Sequence, residues 1–133
     1  MQRLRTRDQF QALLAARPVS RTAHFALHLL PLSAAEATVS PDAGPLALFR
    51  PADHWLGAMV PKRWARRAVT RNAIRRQVYA LGAGLRWPAA PTAQLVRLRA
   101  AFSPVQFPSA CSPALKRAVR QELLSLFAQG AQR

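Results

Sequence analysis

Few side chains in this 133-residue chain are placed to break a bond. Its carboxylates are Asp8, Glu36, Asp42, Asp53 and Glu122, scattered without the clustering that a two-metal hydrolytic centre needs. His24 and His28 stand two residues apart and His54 stands alone, with no thiol or acid near the pair in sequence to complete a metal cage. They read as surface or nucleic-acid-facing histidines. Cys111 is the only cysteine, which excludes an internal disulfide and a thiolate cluster. There is no glycine-rich phosphate loop and no nucleophile elbow. The chemistry on offer is electrostatic. Lys and Arg number 20 against 5 Asp and Glu, for a formal charge of +15. No acid falls between His54 and Gln121, an interval that carries Lys62, Arg63, Arg66, Arg67, Arg71, Arg75, Arg76, Arg86, Arg97, Arg99, Lys116, Arg117 and Arg120. So dense a field repels itself and calls for a polyanionic partner. Nearly all the cations are arginine, whose planar guanidinium grips phosphate through two bonds and stacks on bases.

The elements that must carry these cations follow from local pattern. Thr6 and Gln9 form a capping-box pair for a helix running to about Ala16 and stopped by Pro18, with Phe10, Leu13 and Leu14 as its apolar positions. An extended segment from about Ala23 to Leu30 alternates Phe25, Leu27 and Leu29 with His24, Ala26 and His28. Residues 31–54 hold four prolines and three of the acids and read as a long irregular connection, with Leu46 to Phe49 a possible short strand inside it. A strand from Trp55 to Val60 is closed by Pro61. From Ala68 to Leu81 the spacing predicts a helix, with Gly82 and Gly84 available to end it. On that helix Ile74, Val78 and Leu81 share one side, while Arg71, Asn72, Arg75 and Arg76 form a continuous arc on the other. A strand at about Thr92 to Ala100 follows. The last helix opens at Ser112 and Pro113, with Leu115, Val119, Leu123, Leu126 and Phe127 as its stripe. This order predicts one α+β domain, with helices against one side of a small sheet. Alanine supplies much of the apolar content, so the core is expected to be modest and to gain stability from a partner. No run approaches the ~18 apolar residues of a membrane span, and the N-terminus lacks a secretory pattern, so a soluble, cytoplasmic protein is expected.

One stretch is more specific than charge. Val60 to Arg76 supplies a strand end, the basic pair Lys62-Arg63, a short loop, Ala68-Val69, and then Arg71-Asn72-Ala73-Ile74-Arg75-Arg76 on a helix. This resembles the signature of the bacterial ribonuclease P protein family, although Ala73 replaces a central Arg of that pattern, and Pro61 and Ala65 stand where Ser and Gly are usual. The likeness extends to Leu4–Leu14 as an opening helix, to HFALHLL and QLVRLRA as strands, and to the last helix. Residues 31–54 match least. The resemblance implies an αβββαβα two-layer sandwich, shared with a domain of a ribosomal small-subunit protein, with a left-handed βαβ crossover around the basic helix. It implies a subunit of a ribonuclease whose catalytic groups and Mg2+ belong to an RNA. Lys62, Arg63, Arg66, Arg67, Arg71, Asn72, Arg75 and Arg76 would then dock on that RNA, with Asn72 equally suited to shaping the helix start. Phe10, Leu14, His28, Arg97 and Arg99 would line a cleft for the 5′ leader of precursor tRNA, with packing the rival role for Phe10 and Leu14. The protein would act as a monomer within the complex and have no membrane partner. Charge alone would equally suit a ribosomal or other structural RNA-binding protein. A basic helix would also permit a membrane-surface or DNA-binding protein, but no recognition-helix pair is evident.

Overall fold

In the computed structural model, which describes residues 1–32, 49, 53–85, 87, 91–103 and 112–131, Thr6 opens the first helix as its chemistry requires. Thr6 Oγ1 accepts the Gln9 N–H at 3.2 Å, and Gln9 Oε1 accepts the N–H groups of Thr6 and Arg5 at 3.1 and 2.7 Å. The helix, α1, spans Arg7–Ala15 and ends where Ala16 turns extended before Pro18. A two-residue strand, β1 (Gln2–Arg3), precedes it. Two strands follow as an antiparallel hairpin, β2 (Pro18–Arg21) and β3 (Phe25–Pro31). Pro18 is tolerated because β2 is an edge strand with no neighbour needing its missing N–H. Then come β4 (Trp55–Met59), α2 (Ala68–Ala83), β5 (Thr92–Leu98) and α3 (Pro113–Ala131). Apart from β1, this is the αβββαβα order.

The five strands form one mixed sheet in the order β1-β4-β5-β3-β2. β5 is central, antiparallel to β3 and parallel to β4, so β4, α2 and β5 make a βαβ unit. Register assigns the faces. Phe25, Leu27, Leu56, Ala58, Val96 and Leu98 face α2 and α3, meeting Ile74, Val78, Leu115, Val119, Leu123, Leu126 and Phe127. Trp55, Ala93 and Leu95 point the other way, against Leu4 and Leu13. Helices therefore cover both faces, not one as the element order suggested. The cause is in β4 and β5: their residues are apolar on both sides, so each face needs a cover. Each fully buried Leu or Phe contributes roughly 1.5–3 kcal/mol.

Other boundaries differ from expectation for local reasons. α2 continues through Gly82, since a Cβ there would overlap Leu56 Cδ2 and its absence lets the helix sit close on the sheet. β5 stops at Leu98, although the Arg99 N–H still reaches the His24 carbonyl at 2.7 Å. His24 lies in the turn before β3, not on a face with His28. A Thr22 N–H to Phe25 carbonyl bond of 2.8 Å breaks the alternation, and the His24 ring turns to Glu122 of α3, with Nδ1 2.9 Å from Oε2. Ser112 caps α3 through Oγ, 3.0 Å from the Leu115 nitrogen. Of the strand suggested at Leu46–Phe49, only Phe49 is among the described residues; it is buried edge-on to Trp55, ring centroids 5.8 Å apart. Cys111 and Arg86 lie outside the described residues.

Candidate nucleic-acid interface

Immediately after β4 the chain makes a tight turn. The N–H groups of Trp64 and Ala65 both reach the Pro61 carbonyl at 3.1 Å, and Ala65 is buried. This turn exposes Lys62, Arg63, Arg66 and Arg67, and Arg63 leans over the Trp64 ring, 5.3 Å from its centroid. Arg67 then begins α2 without a side-chain cap. Along the helix Asn72, Arg75 and Arg76 are exposed, while Ile74 and Val78 are buried beneath them. Asn72 Oδ1 sits 3.5 Å from Arg75 Nη1, at the limit of a hydrogen bond. Arg71 is different. It is half-buried, and its Nη1 donates to the carbonyls of Ala65 and Arg66 at 3.0 and 2.7 Å, tying helix to turn. Among the described residues no carboxylate lies within 4.0 Å of any of these seven cations. A groove of about 330 Å³ runs along the α3 side of the helix, lined by Asn72, Arg76 and Gln77 and by Lys116 of α3.

The second expected surface lies across the sheet, where α1 covers only part of its face. His28 is 3% exposed and does not line an open path. Its Nδ1 is 2.8 Å from the Ala16 carbonyl, and its Nε2 is 3.3 Å from Arg97 Nε. Arginine can only donate, so Nε2 accepts and Nδ1 carries the proton toward Ala16. Burial lowers the His28 pKa against the opposing pull of the Ala16 carbonyl, and the charges of Arg97 and Arg21 lower it further. His28 is thus a neutral prop under Arg97. Desolvation, then the charges of Arg99, Arg21 and Arg63, lower the Arg97 pKa in turn. Arg99 is exposed, with Nε and Nη2 donating to the Thr22 carbonyl at 3.1 and 2.9 Å. Phe10 is half-buried against the Leu4–Leu13–Trp55 cluster, and Leu14 is exposed at 38%. The structure joins His28 to Arg97, and the end of α1, the helix that carries Phe10 and Leu14, reaches His28 through the Ala16 carbonyl. It adds Arg21, to which the sequence reading gave no role. Arg21 pairs with Ala26, which pairs with Arg97, so both guanidinium groups flank one small residue on the same face. Simple alternation could not have found it, because an irregularity between Pro18 and Ser20 shifts the register and Val19 packs toward the α3 side. His54 stacks on Trp87, ring centroids 4.9 Å apart.

A mixed-sheet α+β domain with guanidinium arrays on two surfaces, and no carboxylate paired with either among the described residues, defines a nucleic-acid-binding class. The family described as Ribonuclease P matches residues 1–120. Over 126 residues the chain is 36% identical to the ribonuclease P protein component of Ralstonia pickettii (strain 12J), covering 94% of this chain and 76% of that protein. It is 31% identical over 129 residues to that of Paraburkholderia xenovorans (strain LB400), covering 97% and 80%. The fold is similar to the Staphylococcus aureus RNase P protein, with a TM-score of 0.62, 14% identity and 96% and 94% coverage. It is also similar to the RNase P protein from Thermotoga maritima, with a TM-score of 0.59, 17% identity and 95% and 94% coverage. The chain belongs to the ribonuclease P protein family: an RNA-binding component of a tRNA-processing ribonucleoprotein. No helix among the described residues is long and apolar enough to cross a membrane.

Proposed function

We propose that this chain docks on the catalytic RNA of ribonuclease P through α2 and the turn before it, and holds the 5′ leader of precursor tRNA along the sheet face beside α1. The observation that carries the reading is the set of guanidinium groups on α2 with no carboxylate within 4.0 Å among the described residues, fixed by a buried apolar stripe on the same helix. Lys62, Arg63, Arg66, Arg67, Arg75 and Arg76 face solvent and supply the charge that RNA strands need in order to pack closely. Arg71 contributes chiefly by fixing the turn, and Asn72 by bonding to Arg75. In the leader path Arg97 and Arg21 hold phosphates, His28 orients Arg97 from below, and the half-buried Phe10 offers an aromatic ring for stacking.

The cleavage chemistry belongs to the RNA. The described acids do not suit a Mg2+ cage: Asp53 accepts from the His54 N–H at 2.7 Å, which holds its carboxyl below the usual range, and Gln2 Nε2 lies 3.4 Å from it. Glu122 takes the Thr22 hydroxyl, the His24 N–H and the His24 ring. Asp8 is alone in the first turn of α1. Asp53 and Glu122 thus serve structure, and on this reading the Mg2+ of the reaction is held by the RNA. The protein acts as a monomer in the cytoplasm, raising affinity for the precursor over the mature tRNA.

Reconstitution tests this. Adding the purified chain to a ribonuclease P RNA and precursor tRNA at near-physiological salt should accelerate leader removal. RNA binding without stimulation would assign the chain to structural RNA binding instead.

A further inference from the structure

The two-residue strand β1 brings a cation to the RNA-facing side of the molecule. Its parallel pairing sets Arg3 opposite Leu56, whose side chain points to α2, and sends Leu4 to the α1 face. The pairing is held by the Gln2 N–H on the His54 carbonyl at 2.7 Å and the Leu4 N–H on the Leu56 carbonyl at 3.0 Å. A one-residue slip would exchange the two faces. In the observed register the Arg3 guanidinium carbon lies 4.2 Å from the centroid of the Tyr79 ring. Tyr79 is on α2, one turn beyond Arg75 and Arg76. Arg3, Asn72, Arg75, Arg76 and Tyr79 together line an open hollow of about 530 Å³, floored by alanines.

Three guanidinium groups around one hollow repel one another, and among the described residues none has a carboxylate within 4.0 Å. The Tyr79 ring holds the Arg3 guanidinium by a cation–π contact, which takes up none of its N–H groups as conventional hydrogen-bond donors and leaves them to meet an anion. That is the arrangement of a phosphate clamp. We propose that this hollow is a further RNA site, in which Arg3 grips a phosphate of the strand of ribonuclease P RNA that crosses Arg75 and Arg76. The occupant is that RNA and not the tRNA leader, because the hollow continues the α2 surface and lies on the opposite sheet face from Arg97 and Arg21. The inference rests on the reading that α2 lies against the RNA.

The test measures binding of the full chain to a ribonuclease P RNA transcript across a salt series. Arg3→Gln should weaken binding about 5- to 10-fold at near-physiological salt and reduce the log–log salt slope by about one phosphate's worth. Arg3→Lys should keep most of the slope, and Arg75→Gln provides the reference loss. A normal slope in Arg3→Gln with a reduced one in Arg75→Gln would confine Arg3 to packing on Tyr79 and overturn the inference alone. Normal slopes in both would remove the reading beneath it as well. A change in the precursor-to-mature tRNA affinity ratio in Arg3→Gln would reassign the hollow to the leader. Should Arg3→Gln fold poorly, the unaltered chain answers by phenylglyoxal footprinting. RNA should protect Arg3 together with Arg75, and an Arg3 left reactive while Arg75 is shielded overturns the proposal.

Discussion

His28 shows how one buried group sets the behaviour of an exposed one. Its single proton is committed to Ala16 and its lone pair to Arg97, so protonation would place a second charge against a guanidinium in a site with little water. Its folded pKa lies below the ordinary 6.5. Above pH 6.5 both folded and unfolded chains hold a neutral imidazole, and His28 adds no pH dependence. Below that value the unfolded chain takes up a proton that the folded chain refuses, so stability falls as pH drops from 6.5 toward the folded pKa. Thermal unfolding between pH 7.5 and about 5 should show this loss, and His28→Gln should flatten it. An equal slope in the variant would show that His28 does not carry it.

Among the elements, β1 and the close approaches around it control which cations reach which face. Leu4 occupies the space where a Cβ on Gly57 would stand, and the main chain of Leu4 is pinned to Leu56. Gly57→Ala must therefore displace β1 or bend β4, at a cost of about 1–3 kcal/mol. Gly84→Ala is the control. Its φ is −95°, a Cβ there would meet only the Leu81 carbonyl at 3.8 Å, and stability should change by less than about 1 kcal/mol. Denaturant melts of the two variants check both expectations, and a tolerated Gly57→Ala would mean that β1 is loosely held. The same elements show what a sequence can reveal. Thr6 with Gln9, Ser112 with Leu115, and the α3 stripe are legible because their bonds close within a few residues. β1 is not, since two residues have no period and exist as strand only through β4. The side of the sheet that α1 takes depends on β5, many residues later. In the site, Arg71 and Arg75 look alike in sequence; only the folded turn shows that Arg71 donates to Ala65 and Arg66.

For the whole molecule, a charge of +15 with so few ion pairs among the described residues means that folding concentrates like charge against its own repulsion. Raising salt from about 0.05 to 0.3 M shortens the screening length and should raise the melting temperature of the RNA-free chain. Bound RNA should raise it further, the folded state gaining about 2.7 kcal/mol when the free RNA concentration is a hundred times the Kd. Differential scanning fluorimetry checks both, and a melting temperature indifferent to salt would show that the cations are too far apart to matter. The strand order has another consequence. β5, the central strand, is translated after everything it must join except α3, so a nascent chain reaches Arg76 with its sheet still in two unconnected parts. Its most cationic segment is made before the scaffold that will present it, and assembly with RNA competes in time with folding itself.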